Sequence, residues 1–205
     1  AEVGAVDAVL LSHDQHGDNL DRAGAEVTRA APAVITTRAA ARRLGRGDGL
    51  APWAQHALTA DGRAPLAITA TPAQHHPGWQ PGWIAGPVIG FLLESPALRG
   101  PTYITGDTVL FEGVREVARR FAIDTLVIHV GAVRFRWLTG RARYTFDAAE
   151  AVEVARLTGA RRVIPLHTAG WTHFSEGPEA VLAAFAAAGL ADRLAVPTPG
   201  VPVAL

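Results

Sequence analysis

Five separated stretches of this chain each close an apolar run with a side chain of the kind that binds metal ions. They read Ser12-His13-Asp14-Gln15-His16-Gly17-Asp18-Asn19, Pro72-Ala73-Gln74-His75-His76, Thr105-Gly106-Asp107-Thr108, His129-Val130-Gly131 and Pro165-Leu166-His167. A strand that stops at His or Asp aims that group off one edge of its sheet. Several such strands can therefore deliver their ligands to one shared cleft. Imidazole nitrogens and carboxylate oxygens without thiolates suit Zn, Mn or Fe(II), and such ions activate water for hydrolysis.

The rest of the composition narrows the field. With 205 residues, 49% of them hydrophobic, the chain can bury a sizeable core, and no stretch reads as a linker, so one domain over residues 1–205 is expected. Net charge is zero, with no basic face along the sequence, which argues against nucleic acid as a partner. Cysteine is absent, which excludes disulfides and thiolate zinc sites. No apolar run reaches the roughly 18–20 residues of a membrane span, and no signal peptide is visible, so the expected location is the cytoplasm. The chain starts Ala1-Glu2-Val3 and holds no Met, so part of the natural protein is expected to precede it.

Hydrophobic periodicity predicts strands over 5–12, 33–36, 65–71, 88–93, 102–105, 123–130 and 162–166. It predicts helices over 19–31, 37–44, 109–121, 146–158 and 179–190, with Thr145 as cap of the fourth. Residues 50–62 are ambiguous, 75–86 and 134–144 read as loops, and 194–203 is strand-like but broken by prolines. The strand-rich middle, and the lack of a Gly-rich turn after the first strand, exclude a doubly wound nucleotide-binding fold. Two sheets with helices packed outside are expected.

Each candidate ligand has a plainer reading. Asp18 suits the N-cap of the helix that follows it, and Asp107 suits the cap of the next one. His75 or His76 can pack on Trp79 or Trp83. His129 lies inside an apolar strand, where a core role is expected unless it faces the cleft. Either His167 or His173 can be a surface histidine, with His167 the better ligand because it stands at a strand end. Asp14, Asn19, Thr105, His76 and His173 are candidates for holding the ligands in place. Four independent strand ends that each carry His or Asp favour a common site over a collection of caps.

Together these motifs resemble the metallo-β-lactamase superfamily, in particular the branch similar to ascorbate-6-phosphate lactonases and N-acyl-phosphatidylethanolamine phospholipases. The matching pieces are Ser12-His13 through His16-Gly17-Asp18-Asn19-Leu20-Asp21, Pro72-Ala73-Gln74-His75, Ile104-Thr105-Gly106-Asp107-Thr108 and Ile164-Pro165-Leu166-His167, and the resemblance runs from about Val6 to the C-terminus. It implies a four-layer αββα sandwich that lacks its first N-terminal strands. A sheet missing those neighbours would expose an edge and invite pairing into a homo-oligomer.

By the resemblance, His13, His16 and His75 hold one ion, Asp18 and His167 hold a second, and Asp107 bridges them. The family pattern is His-x-His-x-Asp-His. Here one residue is added between the first two histidines, so either His13 or Asp14 fills the first position. Asn19 stands where the last His belongs, which implies one ion or a weakly held second.

The implied function is a metal-dependent hydrolase, with one or two Zn ions (Mn or Fe as alternatives), acting on a small lactone, amide or phosphodiester. Asp18 would orient the nucleophile or shuttle its proton, and His173 or His76 would protonate the leaving group. Trp79, Trp83, Trp137 and Trp171 would wall the substrate, and Arg134, Arg136, Arg141 and Arg143 would bind an anionic group. The alternatives are a non-catalytic scaffold of the same fold with a degenerate site, and a di-iron redox protein.

Overall fold

The alternation expected of the first third of the chain is realised in a computed structural model that describes residues 4–77, 86–134, 140, 142–198, 200, 201 and 203. Strand β1 (Ala8–Leu11) leads through α1 (Arg22–Ala30) to β2 (Ala33–Thr37), and α2 (Arg38–Leu44) leads to β3 (Asp48–Leu50). The middle is strand-rich: β4 (Gln55–Leu58), β5 (Leu66–Pro72), β6 (Ile89–Glu94) and β7 (Thr102–Ile104). Alternation then resumes with α3 (Glu112–Arg120), β8 (Thr125–His129), α4 (Ala148–Thr158), β9 (Arg162–Leu166) and α5 (Pro178–Ala187). Among the described residues no helix is long and apolar enough to cross a membrane.

The strands form two sheets. β1, β2 and β3 make a small parallel sheet in that order, and β4 to β9 make a six-stranded sheet in sequence order. In the larger sheet β4 to β7 pair antiparallel, and β7, β8 and β9 pair parallel. Because β5 and β7 both oppose β6, strands β5, β7, β8 and β9 all run the same way. Their C-terminal ends therefore share one edge.

Period-two patterning sorts the side chains into two cores. Ile35, Ile68, Ala70, Ile89, Phe91 and Leu93 pack between the sheets, with Ala8, Leu10 and Leu50 around them. The alternate residues of the large sheet, Leu92, Tyr103, Leu126, Ile128 and Val163, meet Val114 and Val117 of α3, Val152 and Ala155 of α4, and Val181 and Phe185 of α5. On the far side of the small sheet, Gly49 of β3 lies against Arg38 and Ala41 of α2. The layers are thus helix, sheet, sheet, helices, as expected.

Local details differ from the sequence reading. Asp18 does not cap α1; Asp21 does, accepting from the Gly24 amide at 2.6 Å, because the Asp18 carboxylate is held elsewhere. The cap of α4 is Asp147, in a reciprocal box with Glu150, instead of Thr145. The Thr145 hydroxyl is already committed: it donates to the Val130 carbonyl at 3.1 Å and accepts from the Val133 amide at 3.0 Å. Asp107 caps nothing; α3 begins after Phe111 without a side-chain cap. Residues 50–62 resolve into the end of β3 and β4, and among the described residues of the strand-like tail Leu194 bridges to Val163.

Phe91 is fully buried between the sheets. Phe91→Ala is expected to destabilise the protein by about 3–5 kcal/mol, read as a lower urea midpoint with unchanged slope. A loss under about 1 kcal/mol would mean that the two sheets do not depend on this contact.

Candidate metal centre

The common edge of the large sheet carries the expected groups. The turn after β5 carries His75, the one after β7 carries Asp107, β8 ends at His129, and His167 follows β9 directly. The small sheet joins this edge at the end of β1, where the Ser12 carbonyl accepts from the Ile89 amide at 3.1 Å. Gly106 makes the junction possible. It has φ +61°, and a β-carbon there would stand 2.7 Å from the Ile89 carbonyl oxygen and 3.1 Å from Ser12 Cβ. The loop 12–19 thereby reaches the strand ends of the other sheet.

Three imidazoles converge. His16 Nδ1 lies 3.2 Å from both His13 Nε2 and His75 Nε2, and the three nitrogens lie within 4.8 Å of one another. Asp107 Oδ2 stands 4.0 Å from His13 Nε2, 3.9 Å from His75 Nε2 and 3.7 Å from His167 Nε2. From His167 a chain of contacts continues: Asp18 Oδ2 is 3.4 Å from His167 Nε2 and accepts from His173 Nε2 at 2.8 Å.

The partners of the other ring nitrogens orient these groups. His75 Nδ1–H donates to the Tyr144 carbonyl at 2.7 Å, and His167 Nδ1–H donates to the Val130 carbonyl at 3.2 Å. A carbonyl only accepts, so in its neutral form each ring carries its lone pair on Nε2, facing the cleft. His13 is set by a relay. The Ser12 hydroxyl donates to Asn19 Oδ1 at 3.3 Å, so Ser12 Oγ accepts from His13 Nδ1–H at 3.0 Å, and the Asn19 amide donates to the His13 carbonyl.

Thus His13, and not Asp14, occupies the cluster. Asp14 is bound by Arg43, with Arg43 Nε 2.7 Å from Asp14 Oδ2. Asn19 stands where the resemblance places a ligand, and both ends of its amide are used to brace His13.

Other expected residues fall out variously. Thr105 anchors the Asp107 turn, accepting from the His129 amide at 3.1 Å and donating to the Gly106 carbonyl at 2.9 Å. His129 also reaches Thr105 through Nδ1, at 3.3 Å, and its ring centre lies 6.1 Å from that of His167, so it borders the cleft wall. His76 turns its Nδ1 to the Pro77 carbonyl. Arg143 is engaged by Asp147 and Glu150. Trp79, Trp83, Trp137, Arg136 and Arg141 lie outside the described residues.

Sequence reasoning missed the Tyr144 and Val130 carbonyls, which no side-chain pattern reveals. It also missed Phe174, whose ring packs 4.3 Å from His167. A positive φ at His167, +62°, is a further constraint: a non-glycine residue is held in the left-handed region at the site.

The electrostatics follow from burial. Burial pushes the His13 imidazole down to about 3 and His129 to about 4, and lowers His75 as well. Burial raises the Asp107 and Asp18 carboxyls, but the facing imidazoles more than reverse this. His167, 3.4 Å away, and His173, hydrogen-bonded to Asp18, hold it well below the usual carboxylate range. His167 is raised by Asp18 and Asp107 despite its burial. Neutral imidazoles beside ionised carboxylates are the donor state that a divalent cation requires. The fit is marked by two atoms: among the described residues, buried Asp107 Oδ2 and His167 Nε2 have no hydrogen-bond partner.

Comparison with known proteins gives the family. The sequence profile of the beta-lactamase superfamily domain matches residues 1–168. The chain belongs to the beta-lactamase superfamily. It is 26% identical over 211 residues to a UPF0173 metal-dependent hydrolase of Myxococcus xanthus, covering 100% of this chain and 71% of the relative. It shares its fold with the isothiocyanate hydrolase from Delia radicum gut bacteria (TM-score 0.78, 23% identity, 98% of this chain and 77% of the other). It also shares it with the metallo-β-lactamase fold protein YhfI of Bacillus subtilis (TM-score 0.63, 16% identity, 94% and 74%).

The lowered histidines predict a pH dependence. In the unfolded chain His13, His75 and His129 titrate near 6.5, and in the folded protein lower. Between those values the unfolded state binds more protons, so stability falls as pH drops below about 6.5. His167, raised, opposes this: its contribution is present below 6.5 and is lost as pH rises through its folded value. Three groups outweigh one, so in the presence of a chelator Tm should be lower at pH 5 than at pH 7.5. A Tm that holds or rises at pH 5 would contradict the assignment of neutral, buried imidazoles.

Proposed function

We propose that this protein is a metal-dependent hydrolase in which His13, His16 and His75, with Asp107 Oδ2 beside them, hold a divalent cation, Zn in the first instance. The observation that carries this reading is the convergence of three imidazole nitrogens beside a buried carboxylate oxygen with no partner among the described residues. Membership of the superfamily, and relatives named metal-dependent hydrolases, support it. Asp18 and His167, next along the chain of contacts, are positioned for a second ion. With Asn19 committed to His13, that position is the weaker one.

When bound, the ion would supply Lewis acidity and lower the pKa of water at the site toward about 7. The protein's own groups do the rest. His75 and His13 present fixed lone pairs, because Tyr144 and Ser12 occupy their Nδ1 atoms. Asp18 Oδ2, ionised and held by His173 Nε2, orients the attacking water and accepts its proton. That same proton passes by way of His173, hydrogen-bonded to Asp18, to the leaving group, so that neither residue ends with a changed charge. Phe174 and Tyr144 shield the imidazoles from bulk water. The substrate class proposed is a lactone, amide or phosphodiester, each of which needs an activated water and a protonated leaving group.

Two experiments test the proposal. Elemental analysis should find at least one divalent metal per chain. His75→Ala and Asp107→Ala should each lose that metal, together with any hydrolysis of a lactone, amide and phosphodiester panel that chelation abolishes. Unchanged metal content in both variants would exclude the site.

The Ser12–Asn19 brace gives a second test. Asn19→Ala should weaken zinc affinity by roughly ten- to a hundred-fold without unfolding the protein, measured by competition with a chromophoric chelator. An unaltered affinity would show that the relay does not orient His13.

A further inference from the structure

The segment Trp171-Thr172-His173-Phe174 enters the cleft from the C-terminal third of the chain. Two of its members have clear tasks: His173 holds Asp18, and Phe174 packs on His167. Trp171 has none within the fold. It is 47% exposed, an unusual state for the largest apolar side chain. Its position is nonetheless defined. Trp171 Cη2 lies 3.7 Å from where a β-carbon on Gly17 would stand, and Gly17 sits between His16 and Asp18. Its ring centre is 5.7 Å from that of His173.

The backbone around it is pinned. The Phe174 amide donates to the Trp171 carbonyl at 3.3 Å, the Arg134 amide donates to the His173 carbonyl at 3.2 Å, and the Ser175 amide donates to the Gly131 carbonyl at 2.8 Å. An indole on a pinned backbone, half in water at the rim of a polar centre, has only two side-chain torsions to lose when a ligand covers it.

We propose that Trp171 is the apolar wall of the substrate cleft, and that the substrate carries a flat aromatic or comparably bulky apolar group next to its scissile bond. The inference deepens the hydrolytic reading above and rests on it. Gly17 supports it from the other side. The indole stands beside the loop that carries His16 and Asp18, at van der Waals distance from Gly17, so a ligand bound at the centre comes within its reach. The step is binding alone: the substrate's apolar group leaves water and stacks on the indole, while its reacting group faces Asp18 and the histidines.

The test uses the zinc-loaded full chain and two metal-directed probes of one head group, acetohydroxamate and benzohydroxamate, with Kd measured by calorimetry. Benzohydroxamate should bind the unaltered protein about five- to ten-fold more tightly. In Trp171→Ala that ratio should fall to near one while the acetohydroxamate Kd stays the same, and in Trp171→Phe most of the preference should return. Zinc content is measured in parallel. Equal binding of the two probes by the unaltered protein, or a preference that survives in Trp171→Ala, overturns the proposal. Loss of zinc in Trp171→Ala also overturns it, by assigning the indole to holding the loop. Failure of both probes to bind the zinc-loaded protein removes the metal-centre reading, and the wall falls with it.

Discussion

Everything at the site depends on strand direction. Four strands of the large sheet, β5, β7, β8 and β9, run the same way, so four chain segments far apart in sequence end on one edge. The small sheet packs face to face on this sheet and sends the end of β1 to the same edge. The apolar core between the sheets thus does two jobs: it drives folding, and it fixes the distance between loop 12–19 and the loops that carry His75, Asp107 and His167. Gly106 is one place where this packing is tight, since any side chain there would strike the Ile89 carbonyl.

The cluster is costly in the absence of a cation. Two buried imidazoles and a buried carboxylate crowd around His16, and burial has pushed His13 and His75 away from the protonated form that would pair with the carboxylate. Such an arrangement persists because the surrounding groups over-determine it. The Tyr144 and Val130 carbonyls, the Ser12–Asn19 relay and the Thr105 hydroxyl leave the rings and the Asp107 turn little freedom. The left-handed backbone at His167 belongs to the same pattern, in which local strain is held where function needs a fixed group.

The departures from the family pattern fit a single logic. The residue added between His13 and His16 turns Asp14 outward to Arg43 and leaves both histidines in the cluster. Asn19, a poor ligand, binds the main chain and Ser12 instead. His173, from the far end of the chain, brings an imidazole to Asp18 on the side where the motif lacks one. The centre is therefore unequal, with a tight group of three histidines and a looser line through His167 and Asp18.

The sequence by itself determined most of the elements, their order and the candidate ligands, though not β3 and β4, because apolar periodicity and the chemistry of His and Asp are local properties. β9 appears with the expected bounds, and His13, His16, Asp18, His75, Asp107 and His167 are all brought to one edge. Tertiary structure alone decided between His13 and Asp14, moved the cap of α1 from Asp18 to Asp21, and replaced Thr145 by Asp147 at α4. In each case the choice turned on a partner distant in sequence: Arg43 for Asp14, His173 for Asp18, the Val130 carbonyl for Thr145. Main-chain acceptors such as Tyr144 were invisible beforehand for the same reason. Every residue offers a carbonyl, and only the fold selects which one meets a histidine.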